Sequence, residues 1–137
     1  MLFNIYTDGA SRNNPGKSAS GYMICDTDGN VLLEKAFYNG IKTNNEAEYM
    51  AVLGALEALE EAYSLEGNEV QLYSDSRLMI NQLDGRFKVK NQSLGALKKQ
   101  ISEMLQRLDR YSLHNVPREN KFIAMVDGKL NDLLDKY

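Results

Sequence analysis

The sequence predicts an α/β domain built on a five-stranded mixed sheet flanked by helices, in the order βββαβααβα. Three observations carry that reading. Residues 2–38 hold three alternating or apolar segments separated by short breaks, the mark of an antiparallel meander. Beyond residue 45, helical stretches alternate with short strand-like ones, which joins strands in parallel. No repeat, low-complexity tract or linker composition interrupts the 137 residues, so one domain over 1–137 is expected.

Taken in order, Leu2 to Thr7 alternates apolar and polar side chains and is a strand ending at Asp8-Gly9. Ser11 to Ser20, rich in Asn, Ser and Gly around Pro15, reads as a loop. Gly21 to Cys25 and Val31 to Tyr38 are strands around the turn Asp26-Thr27-Asp28-Gly29-Asn30, and Asn39 to Asn45 is a loop. Glu46 to Tyr63 is a helix with Tyr49, Val52, Leu53, Leu56, Leu59 and Tyr63 on one stripe, capped by Asn44 or Asn45. Glu69 to Ser74 is a strand, Ser76 to Leu83 a short helix, and Ser93 to Leu108 a longer one with Leu94, Leu97, Ile101 and Leu105 aligned. Tyr111 to Val116 is the last strand. Asp127 to Lys136 is the last helix, with Leu130, Leu133 and Leu134 apolar.

Composition narrows the function classes. Apolar residues make up 43% and charged residues 26%, which argues against disorder and fibrous repeats. No run approaches the roughly 20 apolar residues of a membrane helix, and the N-terminus lacks a signal-peptide pattern, so a cytoplasmic protein is expected. The single cysteine, Cys25, forms no internal disulfide. The net charge of -3 weighs against a simple nucleic-acid-binding module, but the charge is unevenly distributed. From Arg86 to Arg110, seven basic residues face two acidic ones, 7 − 2 = +5, leaving 9 − 17 = -8 elsewhere. A basic stretch beside an acidic remainder suits a protein that holds a polyanion with one surface and cations with another; a solvated helix face is the plainer alternative.

Three carboxylates stand out. Asp8 and Asp75 each lie where a strand ends, and functional sites in α/β sheets gather at such ends. Glu48 sits in the first turn of the long helix, on the same side as Ala51 and Ala55, whose small side chains permit close approach to the sheet. Each also has an ordinary role available: Asp8 in a turn with Gly9, Asp75 as a helix cap, Glu48 as a first-turn acid. Convergence of all three would be repulsive unless cations filled the gap, and all-oxygen ligands favour a hard ion such as Mg²⁺ or Mn²⁺.

These residues resemble the ribonuclease H type 1 family. The matching pieces are Thr7-Asp8-Gly9-Ala10, Asn14-Pro15-Gly16, Thr43-Asn44-Asn45-Glu46-Ala47-Glu48-Tyr49, Ser74-Asp75-Ser76 and Asn115-Val116-Pro117-Arg118-Glu119-Asn120. Their order and spacing cover nearly the whole chain. The resemblance implies a ribonuclease H-like fold and hydrolysis of the RNA strand of an RNA–DNA hybrid duplex. It also implies two Mg²⁺ (or Mn²⁺) ions, one activating the attacking water and one stabilising the leaving 3′ oxygen. The products would carry 5′-phosphate and 3′-hydroxyl ends. By motif, Asp8, Glu48 and Asp75 are metal ligands. Asn14, Asn44 and Asn45 would contact the hybrid's minor groove and its 2′-hydroxyls. Ser76 and the Arg86, Lys88 and Lys90 segment would meet phosphates. Arg118 would act from its loop, and a monomer is expected.

The chain departs from the family where a fourth carboxylate is expected directly after an Ala. Ala124 is followed by Met125, and the nearest acid is Asp127. Residues 122–126 read as a small insertion, with Asn131 restoring the later Asp-to-Asn spacing; Asp127 is therefore the expected fourth ligand, with Asp132 and Asp135 as poor substitutes and a helix cap as its competing role. His114 falls inside a strand and is expected to be structural or on the surface. A large basic protrusion is absent between the short helix and the next, which implies modest affinity. Two other functions are open: a catalytically weakened nucleic-acid binder if Asp127 cannot reach, and, independently, a nuclease of the wider integrase-like fold that cuts structured DNA or a single strand. The Asn44-Asn45 pair disfavours the latter.

Overall fold

The computed structural model describes residues 1–137. Its sheet has the strands β1 (Leu2–Arg12), β2 (Gly16–Cys25), β3 (Val31–Lys42), β4 (Glu69–Ser74) and β5 (Arg110–Asn115), in the spatial order β3-β2-β1-β4-β5. The helices are α1 (Asn44–Tyr63), α2 (Arg77–Leu83), α3 (Gln92–Arg107) and α4 (Lys121–Leu134). β1, β2 and β3 pair antiparallel, while β1–β4 and β4–β5 pair in parallel, so the expected mixed sheet and element order are present.

The alternation of β1 assigns its two faces. Phe3 and Ile5 are fully buried with Tyr49, Val52, Leu56 and Leu59 of α1 and Ile101 and Leu105 of α3. The opposite face of the sheet, through Met23 and Cys25, packs against Val126, Leu130 and Leu134 of α4. No helix is long and apolar enough to cross a membrane.

Five boundaries differ from those expected. β1 does not end at Asp8-Gly9 but continues to Arg12, and residues 16–20 and 39–42, expected in loops, are strand. The Ser and Ala residues of 18–20 suggested a loop; they are small because helices cover them. Ser18, Ala19 and Ser20 are fully buried, and the Ser20 hydroxyl donates to the Ala47 carbonyl at 2.5 Å. Thr43 caps α1, its side chain and that of Glu46 forming a reciprocal capping box, so neither Asn44 nor Asn45 is the cap. Asn120 caps α4, which begins six residues earlier than expected and absorbs residues 122–126 as helix rather than as an inserted loop.

Candidate active site

Parallel pairing of β1 with β4 builds the site. The register runs from Leu2↔Glu69 to Tyr6↔Tyr73 and stops there, but β1 continues. Two residues beyond Tyr6 is Asp8 and two beyond Tyr73 is Asp75, so the two carboxylates share one end of the sheet. Asp8 is thus not a turn residue. Gly9 serves the approach of α1: a Cβ there would lie 2.4 Å from the Ala47 carbonyl carbon and 2.5 Å from the Glu48 nitrogen. That closeness delivers Glu48 to the sheet end. Asp75 is released from capping α2 because Ser76 does so, its hydroxyl accepting the Met79 N–H at 3.2 Å.

Carboxylate oxygens of Asp8, Glu48 and Asp75 all lie within 4.8 Å of one another. Asp8 and Glu48 are buried, at 5% and 8% exposure, and Asp75 is half-buried. No lysine or arginine forms a salt bridge with any of them. Glu48 Oε1 is buried without a hydrogen-bond partner, an arrangement that costs free energy unless something else occupies the gap. Burial pushes the Asp8 carboxyl up to about 8, helped by the Asp127 carboxyl against it and by the charges of Asp75 and Asp127. Glu48 is raised well above the usual carboxylate range, first by burial, then by Asp8 and Asp75. Burial also raises Asp75, opposed by the Arg118 guanidinium. These oxygens could hold a hard divalent cation, since its charge would remove both the repulsion and the orphaned oxygen.

Asp127 sits in the second turn of α4 and points at Asp8, lining the same cavity. Its helix-cap role is excluded by Asn120. Asn131, one turn on, donates to the Asp127 carbonyl at 2.9 Å. Asp132 and Asp135 are exposed, and Asp135 pairs with Arg12 at 2.6 Å.

The cavity over the carboxylates, about 310 Å³, is lined by Asp8, Asn44, Asn45, Glu48, Asp75, Ser76, Arg118 and Asp127, among others. Asn14 stands just outside, its Oδ1 accepting the Asn44 N–H at 3.0 Å. Arg86, Lys88 and Lys90 are exposed on the connection between α2 and α3 and do not line this cavity; Arg86 pairs with Asp84 at 2.9 Å.

One expectation changes here and one, the structural role of His114, does not. The basic stretch is not one surface: Arg107 bridges Glu60 and Glu66, and Arg110 faces Glu69 at the opposite end of β4 from Asp75. His114 stacks on Tyr73 (ring centroids 4.9 Å apart) and shares a 2.8 Å hydrogen bond with Ser112, away from the carboxylates. Sequence reasoning missed Ser11, whose N–H and hydroxyl hold the Asn44 side chain; only its place between two matching motifs signalled it.

A family model described as reverse transcriptase-like matches residues 6–126. Ribonuclease HI of Halobacterium salinarum is 36% identical over 96% of this chain, which spans 64% of the length of that relative. The solved RNase H1 structure from Halobacterium salinarum NRC-1 superimposes with a TM-score of 0.91 at 33% identity, covering 100% of both chains. LC11-RNase H1, solved in complex with an RNA/DNA hybrid, gives 0.90 at 37% identity over 98% of this chain and 97% of that one. Likeness in sequence and in fold runs through the strands and helices that carry Asp8, Glu48 and Asp75, and on both grounds the chain belongs to the ribonuclease H type 1 family.

Proposed function

We propose that residues 1–137 form a single catalytic domain that hydrolyses the RNA strand of RNA–DNA hybrids, leaving 5′-phosphate and 3′-hydroxyl ends. The observation that carries this reading is the buried, unpartnered Glu48 oxygen among three carboxylates with which no lysine or arginine forms a salt bridge. The hybrid-bound neighbour supports the substrate class.

Asp8, Glu48, Asp75 and Asp127 are the proposed ligands of two Mg²⁺ ions, with Mn²⁺ as a substitute. Such ions, when bound, supply an activated water and charge stabilisation at the leaving oxygen. The chain's own residues do the rest. Asp8 and Asp75, each two residues past the last pair of the β1–β4 ladder, fix the ligand oxygens to the rigid sheet. Gly9 brings Glu48 in without a loop. Asn14, Asn44 and Asn45 present amides to the minor groove, where 2′-hydroxyls separate RNA from DNA. Ser76, Arg86, Lys88 and Lys90 meet phosphates of the hybrid, and Arg118 lies beside Asp75 where it balances a phosphate. The domain acts as a monomer in the cytoplasm in this reading, in keeping with its one buried cysteine and lack of a membrane-spanning helix.

Incubation of the purified chain with labelled hybrid and labelled double-stranded DNA tests the proposal. Cleavage of the hybrid alone, in Mg²⁺ or Mn²⁺, with loss in Asp8→Asn, is the expected result. An intact hybrid in both metals would overturn it.

A further inference from the structure

Tyr49 follows Glu48 in α1 and is fully buried. Its hydroxyl donates to Oε1 of Gln82, a buried residue of α2, at 2.7 Å. This is the one side-chain hydrogen bond that joins the two helices. The far end of α2 carries the basic connection to α3. Gly85, at φ +82°, reverses the chain, and the Arg86 and Phe87 N–H groups return to the Asn81 carbonyl at 2.9 and 3.1 Å. Gly85 itself donates to the Gln82 carbonyl at 3.2 Å. Two residues beyond Phe87, Val89 packs against the main core, while Lys88 and Lys90 on either side of it are exposed. The connection is thus held at Asn81–Gln82 and again at Val89. Arg86 is paired with Asp84, which leaves Lys88 and Lys90 as its cations without an ion pair.

We infer that Tyr49 is a positioning residue for substrate grip: through Gln82 it sets where Lys88 and Lys90 stand relative to Glu48, so that one hybrid meets both the lysines and the carboxylates. The inference rests on the hybrid reading of the site and on phosphate contacts by those lysines. A hydrogen bond is directional, so it fixes the rotation and height of α2 against α1, which apolar packing alone leaves freer to slide. Backbone bonds from Asn81 and Gln82 then carry that placement into the connection. Tyr49 touches neither the substrate nor the ions in this role.

Kinetics on labelled hybrid in Mg²⁺ test this with Tyr49→Phe, Lys88→Gln/Lys90→Gln, the two combined, and Tyr49→Phe/Gln82→Leu. Tyr49→Phe keeps the ring and removes the bond. Its KM is expected to rise about three- to tenfold, with kcat and the half-saturating Mg²⁺ concentration little changed, as befits one lost neutral hydrogen bond. The lysine pair raises KM in the wild-type chain. In the Tyr49→Phe background that rise shrinks by about threefold or more, because the lysines are already displaced from their phosphates. Tyr49→Phe also leaves the Gln82 oxygen without a partner, so its Tm falls. Tyr49→Phe/Gln82→Leu removes that oxygen and recovers Tm, while KM stays raised. Recovery of KM together with Tm, an unchanged KM in Tyr49→Phe, or full additivity with the lysine pair would overturn the positioning role and leave the hybrid reading intact. A lysine pair without effect on the wild-type KM would remove the phosphate contacts and the positioning role with them. No cleavage of the hybrid by the wild-type chain would overturn the hybrid reading as well.

Discussion

The carboxyl of Asp127, in the second turn of α4, lies against that of Asp8, in the middle of β1. Two acids are brought together across two elements with no cation between them from the protein. If Asp127 is a ligand, Asp127→Asn will lower hybrid cleavage by more than the ten- to hundredfold typical of groups that merely support ligands. Asp132→Asn is the control: Asp132 is exposed and, five residues further along the helix, faces away. It should retain activity within about twofold. Equal activity of Asp127→Asn and wild type would remove Asp127 from the ligand set.

The same crowding predicts an unusual pH dependence without metal. Asp8 is raised from 3.8 to about 8, and Glu48 and Asp75 are raised too, chiefly by burial. Between the unfolded and folded values, the folded chain holds protons that the unfolded chain has lost. Stability contributed by these groups is therefore fully present below about pH 4 and falls as pH rises towards 8. Thermal melts in chelator should give a lower Tm at pH 8 than at pH 6. Mg²⁺ must displace those protons, so its stabilising shift and its affinity should both grow with pH. A chelated Tm that rises across this interval would contradict the assignment.

Removing one of the repelling charges should stabilise the fold at the expense of the chemistry. Asp8→Asn keeps the shape of a side chain that is 5% exposed while abolishing its charge. In chelator at pH 8 its Tm is expected to rise by about 5 °C, the effect of roughly 1–2 kcal/mol in a chain of this size. Hybrid cleavage should fall to background. A Tm at or below wild type would mean that Asp8 is held by contacts other than the crowded carboxylates.

Most of the fold and the three central acids were legible in the sequence because their signals are local. Alternation marks β1 and β4, the Tyr49–Val52–Leu56–Leu59 stripe marks α1, and Asp8 and Asp75 follow recognisable strands. What stayed ambiguous was whether each acid merely served a turn or cap. That depended on neighbours: Thr43, Ser76 and Asn120 take the caps and leave Asn44, Asp75 and Asp127 free. The misread loop around Ser18–Ser20 has loop composition for a tertiary reason, since bulk there would hold the helices off the sheet, whereas Asn39–Lys42 is strand because it pairs with the start of β2. Nor could the basic stretch be divided by inspection, because Glu60, Glu66 and Glu69 are remote in sequence from Arg107 and Arg110.

The glycines separate close approach from mere absence of a side chain. Gly9→Ala drives a Cβ into the α1 backbone at Ala47 and Glu48, neither of which can yield like a flexible side chain. It should cost about 2–3 kcal/mol in chemical denaturation, at the upper end for overpacking, and should lower cleavage by displacing Glu48. Gly128, inside α4, has nothing within 4 Å of its Cβ position. Gly128→Ala should stabilise by about 0.5–1 kcal/mol through helix propensity alone. Similar effects at the two positions would be inconsistent with the close packing at Gly9.

Division of the basic stretch makes the last prediction a comparison of salt dependences. Lys88 and Lys90 are exposed and form no salt bridge in the chain, whereas Arg107 is bound to Glu60 at 2.5 Å and Glu66 at 2.9 Å. Each lysine that neutralises a phosphate adds slightly less than one to the slope of log affinity against log salt. Lys88→Gln/Lys90→Gln should weaken hybrid binding and reduce the slope by about 1.5–2. Arg107→Gln should leave both at wild-type values, because its charge is already spent on the α1 end and the turn before β4. Equal losses of slope in the two variants would restore the whole stretch as one phosphate-facing surface. An unchanged slope in the lysine pair would instead move the phosphate contacts to the rim at Ser76 and Arg118.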